Sequence, residues 1–197
     1  MPDTAECFRL MEEFGMLPNI RRHSIVVARV ALLLVDGLHA HGATPPDRSL
    51  AAAGALLHDI AKTPCLRDRC DHAAEGARIC EELGYPEVAA IVRDHVILRE
   101  HDPVRRGQGI FTGEEIIYYA DKRVRHEEVV SLDERLAYIL EQYGNGDPRL
   151  FELIRANFRQ CEELEKALFA FLPYGPEAVS ELVATCEPED WENSAAA

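Results

Sequence analysis

Six histidines and aspartates constrain this chain more than any other feature. His58 and Asp59 stand side by side in LLHDIAK. His23 lies beside the apolar run IVVARVALLLV, Asp121 closes the stretch IIYYAD, and His72 and His95 fall between. Each is a polar group next to a core-forming segment, where an unpartnered side chain costs a few kcal/mol. Adjacent residues on a helix point about 100° apart, so His58 and Asp59 cannot form a simple i,i+4 metal clamp. They can reach two ions, or one ion from two directions, and the other ligands must then come from separate helices. The pattern predicts several helices gathered around one metal site.

The rest of the chain supplies those helices. A first helix is predicted over 4–14, ending at Gly15, and a long one from Pro18-Asn19 to about 39. The second is apolar on nearly all sides, as a buried central helix is. HGATPPD at 41–47 breaks the chain. Leu50–Ile60 forms the next helix, closed by Pro64. Asp71 caps a helix over 72–83 stopped by Gly84, and Pro86 starts another to about 97. REHDPVRRGQGI at 99–110 is a charged, glycine-containing loop of the kind that shapes access to a site. Thr112 with Glu115, and Ser131 with Glu134, have capping-box spacing for helices to about 122 and to Tyr143. Asp147-Pro148 opens a helix over 148–171. PYGPEA precedes a short helix at 177–185 and a frayed end, where Trp191 is an anchor or simply exposed. The expected fold is all-α: one helical domain over 1–172, with a short C-terminal helix and tail over 173–197.

With 197 residues and 47% hydrophobic content the chain has ample material for one core. The formal net charge of −14 disfavours polymeric nucleic acid and anionic membrane as partners. It leaves a small phosphorylated substrate open, because bound divalent cations invert the local field. The longest apolar run, VALLLV, is bounded by Arg29 and Asp36, so no membrane span is predicted, and the opening MPDTAECF has no signal-like stretch. A cytoplasmic location is expected. The six cysteines, at 7, 65, 70, 80, 161 and 186, include no CxxC. A disulfide scaffold or a thiolate metal site is not expected, and Cys7, Cys80 and Cys161 read as small core groups. The oligomeric state is left open, a homodimer included.

The ordered set His23, His58-Asp59, Asp121 resembles the HD-domain superfamily of metal-dependent phosphohydrolases, and HDIAK is close to the HDIGK form of its motif. DHAAEG sets His72 at the histidine of an HAxxG motif, and VRDHV sets His95 at the next. Both match a dinuclear branch that includes bacterial hydrolases of dinucleoside tetraphosphates. The resemblance covers about 20–130. Ala61 replaces the motif glycine, and HVILREHDP replaces the HTxGR-like segment that follows the last histidine in that branch. The second change alters a substrate wall, so substrate specificity is not inherited.

Imidazole suits zinc, iron, nickel or cobalt, and carboxylate suits harder ions such as manganese. Four histidines and two aspartates make a mixed site for two divalent ions (Fe, Mn, Co, Ni or Zn, with Mg admissible). Asp59 is the natural bridge: His23, His58, Asp59 and Asp121 hold one ion, and Asp59, His72 and His95 the other. Two ions about 3.5–4 Å apart activate a water and brace phosphoryl oxygens. Lys62, four residues after His58, is expected to neutralise a phosphate oxygen, and Arg123 to do likewise, ahead of Arg22 and Arg106. Asp94 is a candidate to orient His95 or to handle a proton, with Glu75 the alternative beside His72. His39, His41 and His126 are expected to face solvent, His101 is a poor second copy of the pair, and Tyr118-Tyr119 are expected to pack in the core.

The expected function is metal-dependent hydrolysis of a phosphomonoester or phosphoanhydride, in a nucleotide or related small metabolite, by a metal-activated water. A cyclic-phosphodiester hydrolase and a non-catalytic phospholigand-binding domain are the alternatives.

Overall fold

The computed structural model describes residues 1–186, so Trp191 lies outside the described residues. The helices are α1 (Thr4–Glu13), α2 (Pro18–Ala40), α3 (Arg48–Leu57), α4 (Lys62–Asp68), α5 (His72–Glu82), α6 (Pro86–Asp94), α7 (Pro103–Gly107), α8 (Gly113–Lys122), α9 (Leu132–Tyr143), α10 (Pro148–Phe169) and α11 (Val179–Thr185). The fold is an all-α bundle. Its boundaries follow local chemistry. Asp3, Asp47, Asp71, Asp102 and Asp147 each accept a backbone N–H at a helix start, and both expected capping boxes form, at Thr112/Glu115 and Ser131/Glu134.

α2 runs through the centre of the bundle. Val27, Ala28, Val30, Ala31, Leu34 and Leu38 are fully buried on it, and α3, α8 and α11 pack around it. By length and composition α2 is apolar enough to cross a membrane, but more than half of that stretch is covered by the rest of the fold. α3 is buried from Ala51 to Leu57, which its small residues permit. A Cβ on Gly54 would lie 2.8 Å from Ile91 Cδ1. Overpacking of that kind costs about 1–3 kcal/mol, so Gly54 sets how closely α6 approaches α3.

The structure departs from the sequence reading in four places. The helix expected over 50–60 ends at Leu57, and His58–Ala61 forms turns, with Ile60 N–H donating to Leu57 O and Lys62 N–H to Asp59 O. Pro64 therefore sits in the first turn of a new helix, where its missing N–H is harmless. The segment 99–110 contains α7, and Arg105 and Arg106 tie it to Glu115 of α8. A two-stranded hairpin, β1 (Val124–Arg125) with β2 (Glu128–Val129), follows α8 and turns at His126, whose φ is 57°. Finally, Cys65 and Cys70 form a disulfide, against expectation. Arg69 caps α4 in the left-handed conformation. That sharp reversal brings Cys70 back to within 4.8 Å of Cys65, Cα to Cα.

Candidate metal centre

The turn at 58–61 points His58 and Asp59 into the space enclosed by α2, α5, α6 and α8. His23 enters from the first turns of α2, His72 is the first residue of α5, His95 caps the end of α6, and Asp121 is near the end of α8. Two groups of ligand atoms converge there: His23, His58 and Asp59 on one side, and Asp59, His72 and His95 on the other. Asp59 belongs to both. Its Oδ2 lies 3.4 Å from His58 Nε2, while its Oδ1 lies 3.4 Å from His72 Nε2 and 3.6 Å from His95 Nε2. Asp121 Oδ1 joins the first group, 3.0 Å from His23 Nε2 and 3.7 Å from His58 Nε2.

The histidine tautomers follow from their backbone contacts. His23 Nδ1 lies 2.9 Å from His126 O, His58 Nδ1 2.7 Å from Ala55 O, and His95 Nδ1 2.6 Å from Val92 O. A carbonyl only accepts, so each Nδ1 carries the hydrogen. In each neutral ring the Nε2 lone pair then points to the centre, the arrangement metal-binding histidines use. His72 Nε2 and His95 Nε2 are 3.2 Å apart, so one proton or one cation separates them. His58 Nε2 and Asp59 Oδ1 are buried with no hydrogen-bond partner. Orphaned buried polar atoms are costly and rare, and here one faces each of the two ligand groups. The donor set therefore fits one or two divalent ions.

Charge at the centre is set by mutual contact. Burial alone would raise the Asp59 carboxyl, but the charges of His58 and Lys62 hold it well below the usual carboxylate range. Asp121 is held low as well: burial opposes this, and the His23 hydrogen bond and the charges of His58 and Arg135 overcome it. Burial pushes His72 down to about 4. Burial would also depress His58, yet the charges of Asp59 and Asp121 raise it above its ordinary value. The direction of these shifts favours a proton on His58 in the metal-free centre, with both carboxylates ionised and His72 neutral. A metal ion must displace that proton, so apparent affinity rises with pH through the His58 titration. Calorimetry of Mn²⁺ binding at pH 6.5 is expected to show buffer-dependent heats with proton release. Heats independent of buffer ionisation would contradict this.

Beside the centre is a cavity of about 230 Å³, lined by residues of α2, α4, the hairpin turn and α9, and by His23, Asp59 and Lys62. Lys62 Nζ donates to Asp59 Oδ2 at 2.6 Å. It reaches Asp59 at i+3 across the turn, and does not share a helical face with His58. The other expected residues lie elsewhere. Arg123 is buried, and its guanidinium donates to Val130 O, Tyr119 Oη, Glu165 and Pro176 O, away from this cavity. Asp94 accepts Arg99 N–H and pairs with its guanidinium, with no contact to His95 among the described residues. Arg106 pairs with Glu115, Arg22 with Glu127 and Glu75 with Arg78. Tyr118 and Tyr119 are fully buried. No residue of 99–110 lines the cavity.

Four contributors escaped the sequence reading. The His126 carbonyl orients His23 from the unexpected hairpin. Lys122 is buried and donates from Nζ to Val96 O at 3.1 Å and more weakly to His95 O, holding the end of α6 that carries His95. Arg135 and Tyr138 of α9 line the cavity. For the α9 pair a signal was available: an arginine and a tyrosine three apart after a capping box share one helix face.

The chain is 29% identical over 154 residues to a tRNA (cytidine(56)-2'-O)-methyltransferase of Picrophilus torridus, covering 74% of this chain and 42% of the relative. It thus spans less than half the length of that protein. It is 24% identical over 148 residues to an uncharacterised protein of Methanocaldococcus jannaschii, covering 71% of this chain and 86% of that one. No solved structure matches significantly. Residues 20–126, over half the chain, match the HD domain. That segment runs from the start of α2 through the hairpin turn and contains all six converging ligands, so the chain belongs to the HD-domain family.

Proposed function

We propose that the protein hydrolyses a phosphomonoester or phosphoanhydride of a nucleotide or related small metabolite. The HD fold and the clustered ligands support metal-dependent phosphohydrolase activity in general. The observation that carries the reading is the pair of buried, unpartnered atoms, His58 Nε2 and Asp59 Oδ1, beside a cavity that admits solvent. Side chains of His72 and Asp121 remain 28% and 14% exposed, so the centre is not sealed as a purely structural site would be. That accessibility favours turnover over a non-catalytic binding role.

His23, His58, Asp59 and Asp121 would hold one divalent ion, and Asp59, His72 and His95 would hold a second. Bound divalent ions supply activation of water and neutralisation of phosphoryl charge. The protein's own groups do the rest. The Nδ1–H contacts of His23, His58 and His95 lock ring orientation before substrate arrives. Lys62 keeps its proton: burial opposes this, and the charges of Asp59 and Asp121 prevail. Its ammonium therefore faces the cavity as a fixed positive charge. In hydrolysis a water oxygen bonds to phosphorus as the bond to the leaving oxygen breaks, and negative charge grows on the phosphoryl group. Lys62 is placed to stabilise that charge.

Metal-stripped protein is expected to release no phosphate from a panel of nucleotides and sugar phosphates. Adding Mn²⁺, Co²⁺, Ni²⁺, Fe²⁺, Zn²⁺ or Mg²⁺ singly should restore release for at least one ion. Tight metal binding with no turnover of any phosphate ester would move the binding-domain reading ahead.

A further inference from the structure

Arg135 stands apart among the arginines near the centre. Arg22 pairs with Glu127, Arg123 has four hydrogen-bond partners, and Arg105 and Arg106 share Glu115. Arg135 has no hydrogen bond or ion pair among the described residues, and its Nε is buried without a partner. Its guanidinium lies 5.5 Å from the Tyr138 ring centre, and both side chains line the cavity that holds His23, Asp59 and Lys62. Tyr138 is itself braced edge-on by His126, with ring centres 5.3 Å apart. Glu127, the other carboxylate that lines the cavity besides Asp59, is already paired with Arg22. The wall therefore presents a guanidinium with no direct ion pair, whose charge acts through space on Asp121, in the same cavity as His23 and Asp59.

We infer that Arg135 is the anion-recognition residue of this site, taking the phosphoryl oxygens of a small phosphomonoester with Lys62. This rests on the hydrolase reading above and deepens it. A guanidinium offers a planar fork matched to two phosphate oxygens, and stacking on an aromatic ring fixes its plane in advance. The cavity volume of about 230 Å³ lies below the roughly 300–1,000 Å³ typical of pockets that enclose larger ligands. That size suits one phosphate with a compact organic group and disfavours a dinucleoside polyphosphate held inside.

The probe is inorganic phosphate, the product common to all phosphomonoesters, titrated calorimetrically into Mn²⁺-loaded protein. Arg135→Met should weaken phosphate binding about 10–100-fold, with Arg135→Lys recovering part of the loss. Both variants should still fold and load Mn²⁺, because Arg135 makes no hydrogen bond or ion pair to a ligand among the described residues. In turnover, KM for the best panel substrate should rise more than kcat falls. Equal phosphate affinity in wild type and Arg135→Met overturns the inference even if wild type hydrolyses esters, as does absence of phosphate binding to the loaded wild type. Arg135-dependent phosphate binding without turnover of any ester would uphold the anion site and sink the hydrolase reading.

Discussion

Asp59→Ala is expected to abolish metal-restored phosphate release, with a loss well beyond the about 10–100-fold that follows from removing a group behind the ligands. The reason lies in its two oxygens. Oδ2 faces His58 and accepts from Lys62, and Oδ1 faces His72 and His95. Among the described residues, Asp59 is the one member shared by both groups of ligands. Alanine therefore splits the centre into two incomplete sets and frees Lys62 from its anchor. Asp59→Asn keeps the shape and loses the charge, so it should fall between alanine and wild type. Initial rates with saturating Mn²⁺ decide the matter. A variant with alanine at 59 that retains rates within tenfold of wild type would show that Asp59 is not shared by the reacting centre.

Arg123→Met should act on stability. This guanidinium is 3% exposed and joins the hairpin, α8, α10 and the segment before α11. Removing it leaves the Val130 and Pro176 carbonyls without this donor, and leaves the partly exposed Glu165 with only its Tyr119 hydrogen bond among the described residues. Loss of one partner of a buried charged pair costs about 3–5 kcal/mol, which in a domain this size lowers the thermal midpoint by roughly 6–20 °C. Metal affinity of the folded variant should be unchanged, because no Arg123 contact reaches the six ligands. Differential scanning calorimetry and a Mn²⁺ titration below the transition check both parts. Unchanged stability with lost phosphate binding would return Arg123 to the substrate.

The same residue shows where sequence reading stops. DKRVR looks like a solvated charge run, and nothing local reveals that Arg123 turns inward while Arg125 stays outside in a pair with Glu128. Burial of a charge is decided by what packs over it, here α10 and the Pro176 segment from about fifty residues away. Helix starts were legible because caps are local: an aspartate or serine bonds N–H groups two or three residues on. The break after Leu57 was not, because LLHDIAK has the composition of a continuing helix, and only the demands of the centre bend it. His126 needs a left-handed backbone, which a histidine accepts without advertising it. The Cys65–Cys70 link depends on a similar left-handed residue, Arg69. The six converging ligands were legible as a set, since each is a polar group beside an apolar segment with no evident local partner. Arg135 was not, because its significance lies in lacking a partner, which only three-dimensional contacts reveal.

The most direct measurement is metal content at equilibrium, by elemental analysis after dialysis against buffered Mn²⁺, in wild type and Asp59→Ala. The account predicts at least one ion per wild-type chain, rising toward two at saturation, and loss of retained metal in the variant. Wild-type protein that folds but holds no divalent ion, or a variant that retains as much as wild type, would contradict it.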